Sequence, residues 1–211
     1  MALAGLPLDA LAGFVLTCIA IEVTPGPNMA YLAIVSLDQG RRSGFAVVAG
    51  VALGLALIGA AAAAGLAAFL SNSPVLYEAL RWGGVAYLCY LAWEGWRDAG
   101  ESSPARMQTD STLGTYFRRG LIVNLLNPKA AVFFVTVLPS FMSGNTASTP
   151  QAILLTAVYV AIATGVHLAI VMTASSLRPI LTDPRRNCMI RRVLSLALLG
   201  VAIWFAWSVA R

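Results

Sequence analysis

Thr24-Pro25-Gly26-Pro27-Asn28 places two prolines and a glycine in the middle of a run that otherwise reads as membrane helix. Each proline lacks an N–H and clashes with the preceding turn, and in hydrocarbon the carbonyls so released must find other partners. Broken backbone at membrane depth is tolerated where it is packed inside protein or lines a cavity. The rest of the chain frames this break and a second, weaker one at Asn127-Pro128-Lys129.

The 211 residues are 59% hydrophobic and 11% charged, with a mean hydropathy of +0.79. That lies outside the range of a soluble domain and indicates an all-α polytopic membrane protein. The formal charge of +5 does not point to nucleic acid, because 13 of the 14 basic residues are arginines set between apolar runs, where they orient a membrane protein. Cys18, Cys89 and Cys188 are odd in number and form no CxxC or Cys/His pattern, so no disulfide, metal or cofactor site is expected. No lysine or arginine precedes the first apolar run, which is therefore expected to be a retained helix and not a cleaved signal peptide.

Spans of about 20 apolar residues fall at residues 8–37, 44–70, 75–96, 120–142, 152–175 and 193–210. The third carries Tyr77 and Trp82 near one end and Tyr90, Trp93 and Trp96 near the other, as interfacial anchors do. The first two are long for a hydrocarbon core about 30 Å thick and need tilt or a break. Charge sorts the connections. Arg41 and Arg42 follow span one; Arg97, Arg106, Arg118 and Arg119 follow span three; Arg178, Arg185, Arg186, Arg191 and Arg192 follow span five. The opposite side carries only Arg81 and Arg211. Six spans with the arginine-bearing loops in the cytoplasm and both termini outside satisfy this pattern, and five spans do not.

Residues 98–119 form the only long polar connection, a cytoplasmic linker between a first three-helix half, residues 1–97, and a second, residues 120–211. Three is odd, so the halves are inverted relative to one another, with broken helices 1 and 4. Interruptions at corresponding places in inverted halves are the best sequence pointer to a transporter's binding site near the midplane. Span two offers a glycine series, in which Gly50 and Gly54 form GxxxG. That pattern packs helices closely, either within one chain or across a homodimer seam.

Glu22 lies roughly 20 Å along a helix from Leu8, and Lys129 roughly 15 Å from Arg119, so both fall near the midplane from opposite sides. Charges at that depth face the interior, find partners and mark pathways. Lys129 receives a carboxylate or a proton while Glu22 titrates or balances it, or the two form a structural ion pair. His167 in span five is a second proton-coupling candidate, or a hydrogen-bonding partner between helices. Asn28, Asn124 and Asn127 flank the breaks, to cap freed backbone or contact substrate. Glu78 with Arg81 and Glu94 with Arg97 read as solvated interface pairs. There is no GxSxG, HExxH, P-loop or GxGxxG, so an enzyme is not expected.

Three blocks in order, Thr24 to Asn28, Gly40-Arg41-Arg42-Ser43-Gly44 with the glycine-spaced second span, and Asn127-Pro128-Lys129-Ala130-Ala131 leading to Phe133-Phe134 and Leu138-Pro139-Ser140-Phe141, resemble the LysE/RhtB family of amino-acid exporters. The resemblance covers the whole chain. It implies a small inner-membrane translocator exporting amino acids or related metabolites in exchange with protons. It carries onto Thr24, Pro25, Gly26, Pro27, Asn28, Asn127, Pro128 and Lys129 as the substrate site, and less firmly onto the glycines of span two. Asn28 stands where many members have an aspartate, and Ser140 where glutamine is common. Glu22 is not part of the motif, and its role rests on burial alone. The alternative is a non-transporting membrane scaffold or accessory subunit whose breaks serve only packing.

Overall fold

A computed structural model of the chain describes residues 2–3, 6–24, 26–64, 73–100, 112–142, 149–181 and 187–208. Pro25, Gly65 and most of the expected linker, residues 101–111, lie outside the described residues, as do the side chains of Tyr77 and Arg81. Apart from a two-residue antiparallel bridge at Ala2–Leu3 and Leu6–Pro7, the regular structure is helical. The helices are α1, Leu8–Val23; α2, Pro27–Gln39; α3, Arg41–Ala63; α4, Pro74–Gly100; α5, Leu113–Leu125; α6, Pro128–Ser140; α7, Thr149–Leu181; and α8, Asn187–Ser208.

Both expected breaks are present. α1 and α2 bend by 58° and α5 and α6 by 52°. Each second helix starts with a proline at its first position, Pro27 or Pro128, where the missing N–H costs nothing and the fixed φ suits the helix. α6 contains a π-helical turn at Phe133–Val137. α2 ends at Gly40, whose φ of 83° is the left-handed conformation that glycine adopts without a Cβ penalty. α3 and the Thr149–Leu177 part of α7 are long and apolar enough to cross a membrane singly, and each bent pair is so only when its two helices are taken together as one broken span. The third and sixth expected spans overlap α4 and α8; among the described residues neither helix is by itself long and apolar enough to cross a membrane, the apolar part of α8 being Arg192–Trp204.

The outside of the bundle carries large apolar side chains, and its interior, although mostly apolar, also holds polar and charged ones. Leu16, Val23, Trp93, Leu196 and Trp207 are exposed, whereas Glu22, Asn28, Asn124, Asn127 and His167 are buried. Large apolar side chains on the outer face together with charge in the interior suit a lipid environment, a pattern consistent with an all-α membrane protein.

Close approaches set the helix directions. A Cβ on Gly120 would strike the Val47 carbonyl oxygen, one on Gly50 the Phe117 carbonyl oxygen, and one on Gly54 would come within 2.6 Å of Asn124 Nδ2, so α3 and α5 run parallel in intimate contact. Cβ atoms on Gly44 and Gly59 would meet Val171 and Thr156, so α7 runs antiparallel to α3. The GxxxG face is therefore filled by α5 of the same chain, and it no longer argues for a homodimer seam. Arg41 Nε donates to Ser175 Oγ at 3.1 Å, Arg119 pairs with Glu94 at 2.7 Å, and the Arg192 guanidinium lies 5.1 Å from the Trp96 ring centroid. Glu94 is thus not merely a solvated partner for Arg97. With only 19% of its side chain exposed, it ties α4 to α5.

Gly50→Val is expected to lower stability by ~1–3 kcal/mol or more through overpacking against backbone that has no rotamer to yield. Gly165→Ala, where a Cβ meets nothing within 4 Å, is the matched control and should not destabilise. Unfolding in detergent measures both, and equal transitions would contradict the α3–α5 contact.

Candidate functional site

The two breaks meet at a buried cavity lined by residues from α1, α2, α3, α5, α6 and α7, among them Glu22, Gly26, Asn28, Asn127, Lys129 and His167. Its water-accessible volume is about 10 Å³, room for a single water and not for an amino acid.

Lys129 braces the site. It stands one residue into α6, yet its Nζ reaches the other break, donating to the carbonyl oxygens of Ile21 at 2.7 Å and Thr24 at 2.8 Å. These are carbonyls at the C-terminal end of α1, where partial negative charge collects; the Ile21 oxygen also accepts the Thr24 N–H at 3.1 Å. Gly26 lies beside the lysine stem, and a Cβ there would sit 3.5 Å from Lys129 Cδ.

Glu22 turns elsewhere. Its Oε1 accepts a hydrogen bond from Tyr159 Oη at 2.7 Å, and its Oε2 lies 3.6 Å from His167 Nε2. The second distance is too long for a good hydrogen bond, so His167 flanks the carboxylate without being bonded to it. Glu22 and Lys129 thus line one cavity with different partners, in place of the direct ion pair considered from sequence. Tyr159 is held from the other side by Phe133, whose ring stacks on it at 3.7 Å and 19°, and by an edge contact with Phe134 at 5.6 Å. Both phenylalanines open the π-helical turn, a local geometry often found at functional sites.

The two half-helix N-termini differ. Asn127 caps α6 with its own side chain, Oδ1 accepting from the Lys129 amide at 3.0 Å. Gly26 has no side chain with which to cap α2, whose intrahelical bonding starts only at Ala30 N–H to Gly26 O. The α2 terminus is therefore the one that leaves its amides for another acceptor. Asn28 Nδ2 donates to Asn124 Oδ1 at 2.7 Å, linking α2 to α5 next to that terminus.

Of the residues singled out from sequence, Glu22, Gly26, Asn28, Asn127, Lys129 and His167 come together at the cavity. Thr24 contributes a carbonyl. Pro27 and Pro128 stand buried at the starts of α2 and α6. Gly50 and Gly54 lie at the α3–α5 contact, and Pro25 is not among the described residues. Sequence reasoning passed over Tyr159. Its signal was a phenol in mid-span, away from the interfaces where tyrosine normally anchors, and eight residues before His167 on the same helical face.

A helical membrane bundle with two broken spans closing on a buried, charged cavity is the architecture of a small-solute translocator. The family model for LysE type translocators matches residues 19–208, and the chain belongs to that family, which comprises translocators and not enzymes. The chain is 32% identical over 129 residues to the homoserine/homoserine lactone efflux protein of Salmonella typhi, covering 61% of this chain and 63% of that relative. It is 33% identical over 131 residues to the leucine efflux protein of Salmonella choleraesuis, covering 61% of each. It is also 29% identical over 163 residues to an uncharacterized membrane protein of Pseudomonas aeruginosa, covering 74% of each. The matches to the two efflux proteins thus span less than two thirds of those relatives' length. No solved structure matches the chain significantly.

Tyr159→Phe removes the donor to Glu22 and is expected to cost ~1.5–3 kcal/mol, the range for a hydrogen bond to a charged group. In a Glu22→Gln background the same change should cost clearly less. A double-mutant cycle in detergent reads the coupling, and strict additivity would show that the 2.7 Å contact carries no energy.

Proposed function

We propose that the protein is a secondary active exporter of amino acids or related small metabolites across the bacterial inner membrane, coupled to proton entry. The observation that carries this reading is the meeting of Glu22, from the first broken span, and Lys129, from the second, at one buried cavity with amides around them. The names of the efflux relatives, one for homoserine and its lactone and one for leucine, support an amino-acid cargo without choosing among side chains.

In the proposed site the substrate carboxylate docks at the uncapped N-terminus of α2, beside Lys129, where the helix dipole and amides favour an anion. The ammonium docks at Glu22 or at the Ile21 and Thr24 carbonyls that Lys129 now holds. Binding would thus replace the bonds of Lys129, loosening the brace between the breaks only when cargo is present. The halves 1–97 and 120–211, joined by the 98–119 linker, then rock about the site, and residues 24–28 with 127–129 form its two walls. Glu22, with Tyr159 and His167 around its carboxylate, takes the coupling proton. A six-span topology with the arginine-rich ends inside and both termini outside is supported by the directions of α3, α5 and α7, the first two parallel and the third antiparallel to them. It is also supported by the ties that join Arg41 to Ser175, Arg119 to Glu94 and Arg192 to Trp96. The scaffold alternative leaves the charged cavity unexplained.

Lys129→Ala and Pro27→Ala are each expected to abolish efflux of preloaded amino acid while membrane abundance persists. Unaltered efflux in both variants would remove the proposed site. Glu22→Gln is expected to flatten the pH dependence of transport more than it lowers abundance; a pH profile that overlays the parent's would take Glu22 out of the coupling step.

A further inference from the structure

We propose that Asn28 and Asn124 are the pair that reads the substrate side chain, favouring amino acids whose side chain carries a neutral group able both to donate and to accept a hydrogen bond, a hydroxyl or carboxamide, over apolar isosteres. This rests on the exporter reading above and names the substrate class of that site.

Asn124 is fully buried and Asn28 is 7% exposed. They project from α5 and α2 and both line the cavity. Two carboxamides placed side by side can exchange two hydrogen bonds, but here one is made, from Asn28 Nδ2 to Asn124 Oδ1 at 2.7 Å. Asn28 Oδ1 and Asn124 Nδ2 are left buried without partners. Turning both amides over reverses the single bond and again leaves one carbonyl oxygen and one amino group, so the count does not depend on how the amides are oriented. Gly54 lets Asn124 lie directly against α3, since a Cβ there would be 2.6 Å from Nδ2, and so confines it.

A buried donor and a buried acceptor without partners are costly to keep. A group that enters the cavity and satisfies both gains twice over an apolar isostere that satisfies neither. Sites built to hydrogen-bond a substrate hydroxyl reject the analogue lacking it far more strongly than an apolar pocket rejects an added hydroxyl. The charged ends of a zwitterion have stronger counterparts in the same cavity. Glu22 faces the ammonium, while Lys129 and the open α2 terminus face the carboxylate, and charge-assisted bonds are roughly twice the strength of neutral ones. That leaves the neutral amide pair to the neutral part of the substrate.

Counterflow by the purified full chain in proteoliposomes tests this with isosteric pairs, threonine against valine and asparagine against leucine. The parent protein is expected to exchange the polar member about tenfold or more faster at equal concentration. Asn124→Leu and Asn28→Leu should each lower the threonine-to-valine ratio about tenfold. Should Asn124→Leu fail to accumulate, Asn28→Leu and Asn28→Ala decide through the same ratio. Preference of the parent for the apolar member, or a ratio unmoved in the variants while amino acids still exchange, overturns the inference and leaves the exporter reading standing. Absence of exchange for every amino acid overturns both.

Discussion

The ammonium of Lys129 bound to the carbonyl oxygens of Ile21 and Thr24 is the constraint around which the rest of the molecule is arranged. A helix broken in hydrocarbon needs a donor for each carbonyl it frees, and a lysine at midplane depth needs acceptors for its protons. Each of these is expensive alone, and here each satisfies the other. Because the lysine belongs to the second broken span and the carbonyls to the first, the bonds also hold the two breaks together. The cavity between them closes to the size of one water.

Around that brace, small and aromatic residues supply the shape. Gly50, Gly54 and Gly120 bring α3 and α5 into backbone contact, which places Asn124 against α2 at the level of Asn28. Phe133 and Phe134, at the start of the π-helical turn, pack Tyr159 so that its hydroxyl reaches Glu22. The acid and the base of the site are therefore supported by separate networks, one aromatic and hydroxylic, the other of backbone carbonyls. In the proposed exporter this separation allows a proton at Glu22 and a cargo at Lys129 to act on different parts of one small cavity.

Much of this was legible in the chain. Proline has a fixed φ and no N–H in any context, so Pro27 and Pro128 mark breaks wherever they occur in an apolar run. Deep charges are rare enough that Glu22 and Lys129 identified themselves. Pairings were less legible. Both residues were expected at the same depth, but nothing in one dimension says that Lys129 turns to backbone while Glu22 turns to Tyr159. A tyrosine in an apolar span looks like bulk, and only its neighbours across the bundle make it a donor. The role of GxxxG was likewise undecided, because the same small residues serve an internal contact or a second copy.

What the sequence alone determined was the solvent, the class and the places where helices stop. Hydropathy, proline chemistry and the arginine pattern are properties of residues and their order, and no folding is needed to read them. Only the tertiary structure decided which group meets which: Lys129 with the end of α1, Glu22 with Tyr159 and His167, Asn28 with Asn124, and α5 on the glycine face of α3. The Glu22–Tyr159 contact alone joins residues 137 positions apart. Hydrogen bonding and close packing act over a few ångströms, so the partners exist only once the bundle has brought them together.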